Sequence, residues 1–421
     1  MITLCDANNY YVSVQRVFQP SLAGRPVVVL SGNDGNIISR SEEAKALGYK
    51  MGDAWHLNRE RLAKDGVFVF SSNYALYADM SARVMETLGE FGQALENYSI
   101  DESFLELPDD CDLVATGVQI RQAVLRRTGI PVSVGIGPTK VLAKLANRIS
   151  KKDRSNGVYL MPAGEGRRAL LHSVAAGDIW GIGAQQEAKL NSVGIKTAED
   201  LAALSDTAAR ALLTVTGARI VAELNGVKCL ELETVQASRQ SICRAKSFGV
   251  GLADREEMIE PLSCHVSGIA EKLRGQGSVC GHMRVFIETN SFQATLPQYR
   301  NMAGCDLPTP SNFTPDLLAV AVRLLNQIWR PGFRFKKVGV MALELSSESE
   351  TQTTFSSICN DGAARRRSLM RAVDKLNGTM GRGTVRYASS GDISPVWQMR
   401  QAMRSPRFTT RLDELPVATA R

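Results

Sequence analysis

Histidine is scarce in this 421-residue chain, four in all, and aromatic residues make up only 6% of it. The eight cysteines, at positions 5, 111, 229, 243, 264, 280, 305 and 359, never form a Cys-x-x-Cys pair. A zinc finger therefore lacks its ligand spacing, although Cys264-His265 and Cys280-Gly281-His282 carry the right residue types. Isolated Cys and His of this kind are ordinarily packing residues. Scattered thiols in so long a chain also argue against a disulfide scaffold and for a reducing, cytoplasmic setting. No apolar run approaches the length needed to span a membrane. With an acid at position 6 and no basic lead-in, the first residues do not read as a secretory signal. There is little net charge over most of the length. Residues 361–421 hold 12 Lys/Arg against 5 Asp/Glu, which accounts for the whole +7 and leaves 38 of each sign elsewhere.

The length fits about two to four domains, and 44% apolar with 22% charged residues is an ordinary globular composition. Two adjacent acids, Asp101 and Glu102, sit between two strand-like runs in 94–107. On one strand they would point to opposite faces; at a hairpin turn both can reach one place. Asp6 ends another short apolar strand. A solvated turn uses the same residue types. Three carboxylates brought together repel, however, unless divalent cations neutralise them, and oxygen-only ligands favour Mg²⁺ with substrate phosphates completing the shell. The pattern points to a two-metal phosphoryl-transfer site.

The surrounding periodicities predict a strand and helix in 1–18, a strand at 26–30, and helices at 42–47, 74–88, 113–127 and 139–150, with a strand at 130–136. That order suggests an antiparallel sheet with helices on one face and an insertion at 20–73. Lys140, Lys144, Arg148, Lys151, Lys152 and Arg154 fall within 15 residues, opposed only by Asp153. Such a cluster fits a polyanion partner or a solvated helix face. Residues 165–235 are helical. Within them Ile179-Trp180-Gly181-Ile182-Gly183, Lys189-Leu190, Gly194-Ile195 and Asp200-Leu201 form a helix-hairpin-helix pattern that can hold DNA backbone through exposed N–H groups. Alternating strands and helices over 240–347 indicate a second α+β unit. A Ser/Thr/Glu-rich linker (346–362) and a basic tail with one good helix (366–376) and little other core follow.

Taken together these residues resemble the Y-family translesion DNA polymerases, in particular the UmuC-type catalytic subunits of bacterial DNA polymerase V. The likeness rests on Leu4-Cys5-Asp6-Ala7-Asn8-Asn9-Tyr10-Tyr11, 27–35, Glu43-Ala44-Lys45-Ala46-Leu47-Gly48, Phe70-Ser71-Ser72-Asn73-Tyr74, Tyr77-Ala78-Asp79-Met80-Ser81, 98–104 and Val134-Gly135-Ile136-Gly137-Pro138-Thr139-Lys140. In the tail it rests on Gly381-Arg382-Gly383-Thr384 and Ser405-Pro406-Arg407-Phe408-Thr409-Thr410-Arg411. The resemblance implies an α+β multidomain right-hand polymerase: palm at 1–19 and 74–164, small fingers at 20–73, helix-hairpin-helix thumb at 165–238, little finger at 239–347, and linker with basic tail at 348–421.

It further implies that Asp6, Asp101 and Glu102, with the Ala7 carbonyl, bind two Mg²⁺, and that Tyr11 is a steric gate whose ring excludes a ribose 2′-hydroxyl. Asn8, Asn9, Tyr10, Arg40, Lys45 and Lys151 fall where the dNTP is held. Lys140, Lys144, Gly181, Gly183, Lys189, Arg244 and Lys246 fall where DNA is held. Three positions depart from the family pattern. Glu42 replaces a Tyr beside the phosphates and needs to turn outward or pair with Arg40. Ser103 follows the acid pair in place of Ala. The clamp-binding peptide Gln352-Thr353-Thr354-Phe355-Ser356 lacks one of two bulky apolar residues, which weakens docking by about 1.5–3 kcal/mol.

The implied function is low-fidelity translesion DNA synthesis in the SOS response of a bacterial cytoplasm, at the nucleoid. The implied partners are primer-template DNA, dNTPs, a processed UmuD-like dimer, a RecA filament and, weakly, the sliding clamp, with no membrane. The tail is the candidate contact for those partners. A non-catalytic DNA-binding regulator would keep the thumb and basic surfaces but gains nothing from three clustered carboxylates. A cyclase would need neither a duplex clamp nor a sugar filter.

Overall fold

The computed structural model describes residues 1–108, 110–152, 157–235, 237–293, 295–350, 361–381, 383–391, 397 and 399–415. They form two compact units, Met1–Gln236 with Ala402–Arg421, and Ala237–Gln401.

The first unit is built on a five-stranded sheet. Its strands are β1 (Ile2–Ala7), β5 (Ala94–Asn97), β6 (Glu102–Glu106), β7 (Val132–Gly137) and β8 (Val158–Leu160), in the order β5-β6-β1-β7-β8. β1 is antiparallel to both neighbours, and β7 pairs β8 in parallel. Successive side chains alternate across it. Cys5, Ala7, Leu105, Val134 and Ile136 pack with Tyr77, Val84, Ile120 and Val124 from helices Tyr74–Leu88 and Leu113–Thr128. Ile2, Leu4 and Phe104 meet Ala143 of helix Lys140–Ser150 instead. Helices thus cover both faces, not one as the strand order suggested. Gly135 makes this possible: a Cβ there would stand 2.0 Å from the Asn147 amide nitrogen, so only glycine lets that helix lie directly on β7.

A smaller sheet of β2 (Val27–Leu30), β3 (Ile37–Arg40) and β4 (Phe68–Ser71), in the order β3-β2-β4, carries its own core around Val28, Leu30, Tyr49 and Leu62. Helices Gly164–His172, Ala184–Ser192, Ala198–Ala202 and Asp206–Leu224 close a third core against Leu142 and Leu145.

The second unit is an antiparallel sheet of β9 (Ile242–Leu252), β10 (Ser278–Thr289), β11 (Arg300–Ser311) and β12 (Phe335–Ser347), in the order β11-β10-β12-β9. Its core is shared with helices Arg255–Gly275 and Thr314–Ile328. The tail has more core than its polar sequence suggested. Helix Asp361–Met380 buries Met370 and is tied down by a bidentate Arg274–Asp374 pair at 2.6 and 2.7 Å. Phe408 is buried in the first unit.

His265, 1% exposed, shows the packing role of an isolated histidine. Neither ring nitrogen has a hydrogen-bond partner among the described residues. Burial, with Arg244 and Lys246 adding repulsion, pushes its pKa down to about 3. The unfolded chain takes up a proton near pH 6.5 that the folded ring refuses, so stability is full above that pH and falls below it. Between pH 6.5 and 5 the expected loss is about 2 kcal/mol. His265→Gln should remove this slope in urea midpoints taken at pH 7.5 and 5; an unchanged slope would refute the assignment.

Candidate active site

The acids arrive at one end of two adjacent strands. Asp6 stands opposite Glu102 in the β1–β6 register, and the Ala7 amide donates to the Asp101 carbonyl at 2.8 Å. The turn before β6 is shaped by Ser99. Its hydroxyl receives the Asp101 and Glu102 amides at 3.3 and 3.2 Å and donates to the Asp101 carboxylate at 2.7 Å. Each of the other two acids carries a lysine from or just beyond helix Lys140–Ser150. Lys151 Nζ is 2.6 Å from Asp6, and Lys144 Nζ is 3.0 Å from Glu102. Lys144 also lies over the rings of Tyr98 and Trp180.

Asp6 is nearly buried, and burial raises its pKa to about 7, with Lys151 opposing and Glu102 adding to the rise. The site therefore demands positive charge. An oxygen-only donor set that already holds two ammonium groups fits hard divalent cations. The three carboxylates do not all lie within 4.8 Å of one another. Among the described residues only His282, Asp306 and Glu344 form a group that tight.

Beside the acids is an aromatic stack. Tyr11 lies on Tyr77 with ring centroids 4.4 Å apart and 21° between planes, and Tyr74 meets Tyr11 edge-on at 6.1 Å. Tyr10 turns the other way. Its ring is buried and its hydroxyl donates to the Tyr77 carbonyl at 2.5 Å, which leaves only its backbone for any phosphate. Asn9 takes a left-handed φ of 47°, one that Asn tolerates, and caps the helix that carries both tyrosines. The Asn8 side chain receives Ser133 Oγ at 2.8 Å. Glu42, the acid expected to disturb a phosphate clamp, accepts from Lys45 at 2.5 Å and from Asn9 at 3.0 Å. The Arg40 guanidinium donates to the Tyr49 carbonyl.

Several residues expected on DNA face inward. Lys140 is buried against Glu96, 2.5 Å away, and over the Phe104 ring. The helix it begins is therefore not basic on its outer side alone. Lys144, at Glu102, belongs to the acid cluster. Arg244 and Lys246 share the face of β9 that carries Ile242 and Phe248, and Arg244 crosses Gly268 of helix Arg255–Gly275. Arg244 is half-buried on the helix-covered side of that sheet, whereas Lys246, on the same face, is exposed.

In the helical hairpin, Gly181 has φ +93°, and a Cβ there would meet Ile220 at 2.6 Å. The Gly183 amide donates to Gln186 at the start of helix Ala184–Ser192. Lys189 donates to the Leu212 carbonyl at 2.6 Å while remaining at the surface. The segment carrying Gln352 to Phe355 lies outside the described residues. Sequence reasoning passed over Gln15, Ser99 and Ser405, whose partners are remote or lie in a turn with no periodicity.

The five-stranded sheet, the small sheet, the hairpin helices and the second α+β unit make the multidomain fold of a right-hand polymerase. It is similar to the solved Y-family DNA polymerase chimera Dbh-Dpo4(243-245)-Dbh, with a TM-score of 0.66 and 19% identity over 82% of this chain and 100% of that one. The impB/mucB/samB family model matches residues 5–148, and the model of that family's C-terminal domain matches 239–355. Residues 367–418 match a domain of unknown function. Protein UmuC of Salmonella typhimurium (strain LT2) is 43% identical over 99% of both chains. DNA polymerase IV of Moorella thermoacetica is 27% identical over 92% of this chain and 96% of its own.

The chain belongs to the impB/mucB/samB family of Y-family DNA polymerases. It is a DNA-directed DNA polymerase of translesion synthesis and SOS mutagenesis, acting on primer-template DNA with dNTPs, in a family of metal-dependent nucleotidyltransferases. The non-catalytic regulator is not favoured. No helix among the described residues is long and apolar enough to cross a membrane.

Proposed function

We propose that Asp6, Asp101, Glu102 and the Ala7 carbonyl hold two Mg²⁺. When bound, such ions activate a primer 3′-hydroxyl and neutralise charge on the transferring phosphoryl group. The observation that carries this reading is the side-by-side placement of Asp6 and Glu102, each already drawing a lysine.

Lys151, beside Asp6, supplies a point charge for the triphosphate, and Lys45 does so from the short helix Glu42–Ala46 that follows β3. Tyr11 lies under the sugar and selects deoxyribose by steric exclusion. Palm (1–19 and 74–164), fingers (20–73), thumb (165–238), little finger (239–347) and the linker with basic tail (348–421) divide the labour. The separate cores of the five-stranded sheet, the small sheet, the hairpin helices and the second unit support this division. The protein works at the bacterial nucleoid with a processed UmuD-like dimer and a RecA filament, and docks weakly on the sliding clamp through Gln352 to Phe355. The excess positive charge of residues 361–421 supports a contact there with a polyanionic assembly.

The test is primer extension past an abasic template site by the full chain, with Mg²⁺ supplied or chelated and with the UmuD-like and RecA partners present or absent. Extension should require Mg²⁺ and rise when the partners are added. Extension indifferent to the partners would remove them from the reading. Extension indifferent to chelation would remove the metals.

A further inference from the structure

The tail re-enters the first unit at Ala402, turns at Ala402-Met403 and bridges to it at Arg404. The Ala402 amide donates to Asp34 at 3.0 Å, and the Met403 amide to Ser71 Oγ at 2.9 Å. The Ser71 amide donates back to the Met403 carbonyl at 3.1 Å, and Arg404 bridges Ser71 in parallel at the end of β4. Met403 packs on the small-sheet core, whereas Phe408 is buried in the core of the five-stranded sheet and stacks on Phe18 at 4.7 Å. One short segment thus adds side chains to both cores.

Between these anchors sits Ser405, also buried. The side-chain amide of Asn73, the residue before helix Tyr74–Leu88, donates to the Ser405 carbonyl at 3.0 Å, to its hydroxyl at 3.2 Å and to the Pro406 carbonyl at 3.1 Å. Gln15, fully buried, directs its amide nitrogen to Ser405 Oγ at 3.0 Å and to the Tyr77 hydroxyl at 2.9 Å. Tyr77 is the ring on which Tyr11 rests. Without the Ser405 hydroxyl, a Gln15 N–H would be left unpaired in a dry site. Its reorientation would release the Tyr77 phenol and with it the floor beneath Tyr11.

We propose that residues 402–408, part of the domain of unknown function, are an intramolecular strap joining the small sheet to the five-stranded sheet, and that Ser405 positions Tyr11 through Gln15 and Tyr77 and so sets deoxyribose selectivity. The proposal rests on the reading of Tyr11 as the steric gate. Ser405, Gln15 and Tyr77 are positioning residues under it.

The experiment measures kcat and KM for a dNTP and its matching rNTP on undamaged primer-template, together with thermal midpoints. It uses the full chain and the variants Ser405→Ala, Tyr77→Phe, their combination, and Tyr11→Ala. Ser405→Ala and Tyr77→Phe should each lower the dNTP preference by about three- to tenfold, the size of one net hydrogen bond, with kcat for the dNTP held within about twofold. The double variant should lose no more than either single one, because both cut the same chain of contacts. Tyr11→Ala should lose more than either. A lowered midpoint with the preference intact would make the strap a stability device only and overturn its link to selectivity. Should Ser405→Ala fail to fold, Tyr77→Phe, which leaves the strap intact, decides the matter alone. If Tyr11→Ala leaves the preference unchanged, the gate reading itself falls. If Tyr11→Ala relaxes it and the other variants do not, only the relay falls.

Discussion

Asp101→Ala should lower kcat for primer extension by about a thousandfold, the upper range for removing one preorganised electrostatic group from a reaction site. Its local surroundings make it the cleanest of the three acids to test. Asp6 is nearly buried and paired with Lys151, so truncating it would strand a cation beside a new cavity. Glu102 has Lys144 on it and lies within β6. Asp101 sits in the turn, partly exposed, with Ser99 Oγ on its carboxylate. Its contribution to the fold is the backbone carbonyl that receives the Ala7 amide, which alanine keeps. Stability should therefore move by no more than about 0.5 kcal/mol, and the loss belongs to the chemistry. The measurement is single-turnover extension beside DNA affinity at fixed salt, since phosphate contacts make that affinity salt-dependent. A residual rate within tenfold of the parent, with DNA affinity intact, would remove Asp101 from the reaction.

The sequence made the carboxylate hairpin, the strand that ends in Asp6 and the helical hairpin legible, because each is local. Period-two runs, a turn and glycine spacing fix them within a few residues. It also made most of the second sheet legible, with one strand missed. β11 (Arg300–Ser311) carries Pro308 and Pro310 and mostly polar side chains, which a sheet tolerates only at an edge, where β11 lies. Helix Arg255–Gly275 begins more than a turn before Pro261, because Asp254 caps it and the proline is carried inside.

The lysine run hides its partners for a different reason. Lys140, Lys144, Arg148 and Lys151 each find a carboxylate, Glu96, Glu102, Asp178 and Asp6 respectively, and three of those four acids lie more than 40 positions away. A charge run reads as a surface only when its partners cannot be seen. The strap is the extreme case. Gln15 and Ser405 are 390 positions apart, and nothing periodic announces their contact.

Glu223 belongs to the same hidden class, and its removal should cost more stability than any surface change. It is fully buried at the end of helix Asp206–Leu224. One carboxylate oxygen accepts the amides of Cys229 and Leu230 at 2.9 and 2.8 Å, and the other accepts the Val141 amide at 3.1 Å. The last of these is an orphan donor in the first turn of helix Lys140–Ser150, where a negative charge also meets the positive end of the helix dipole. Thr139 Oγ1 adds a bond to the Glu223 carbonyl at 2.9 Å.

Glu223→Ala leaves three N–H groups without their acceptor, that of Val141 buried and those of Cys229 and Leu230 part-buried, and should cost about 3–5 kcal/mol, read as a lower urea midpoint at unchanged slope. Glu223→Gln keeps one acceptor oxygen but turns an NH₂ toward a donor, and should cost about 1–3 kcal/mol. The damage should reach the chemistry as well, because the helix loosened at its start carries Lys144 to Glu102. Extension by Glu223→Gln should therefore fall at temperatures where the protein is still folded. A midpoint loss below about 1 kcal/mol for the alanine variant would mean that water replaces the carboxylate at this junction, since a bridging water serves nearly as well as a direct bond.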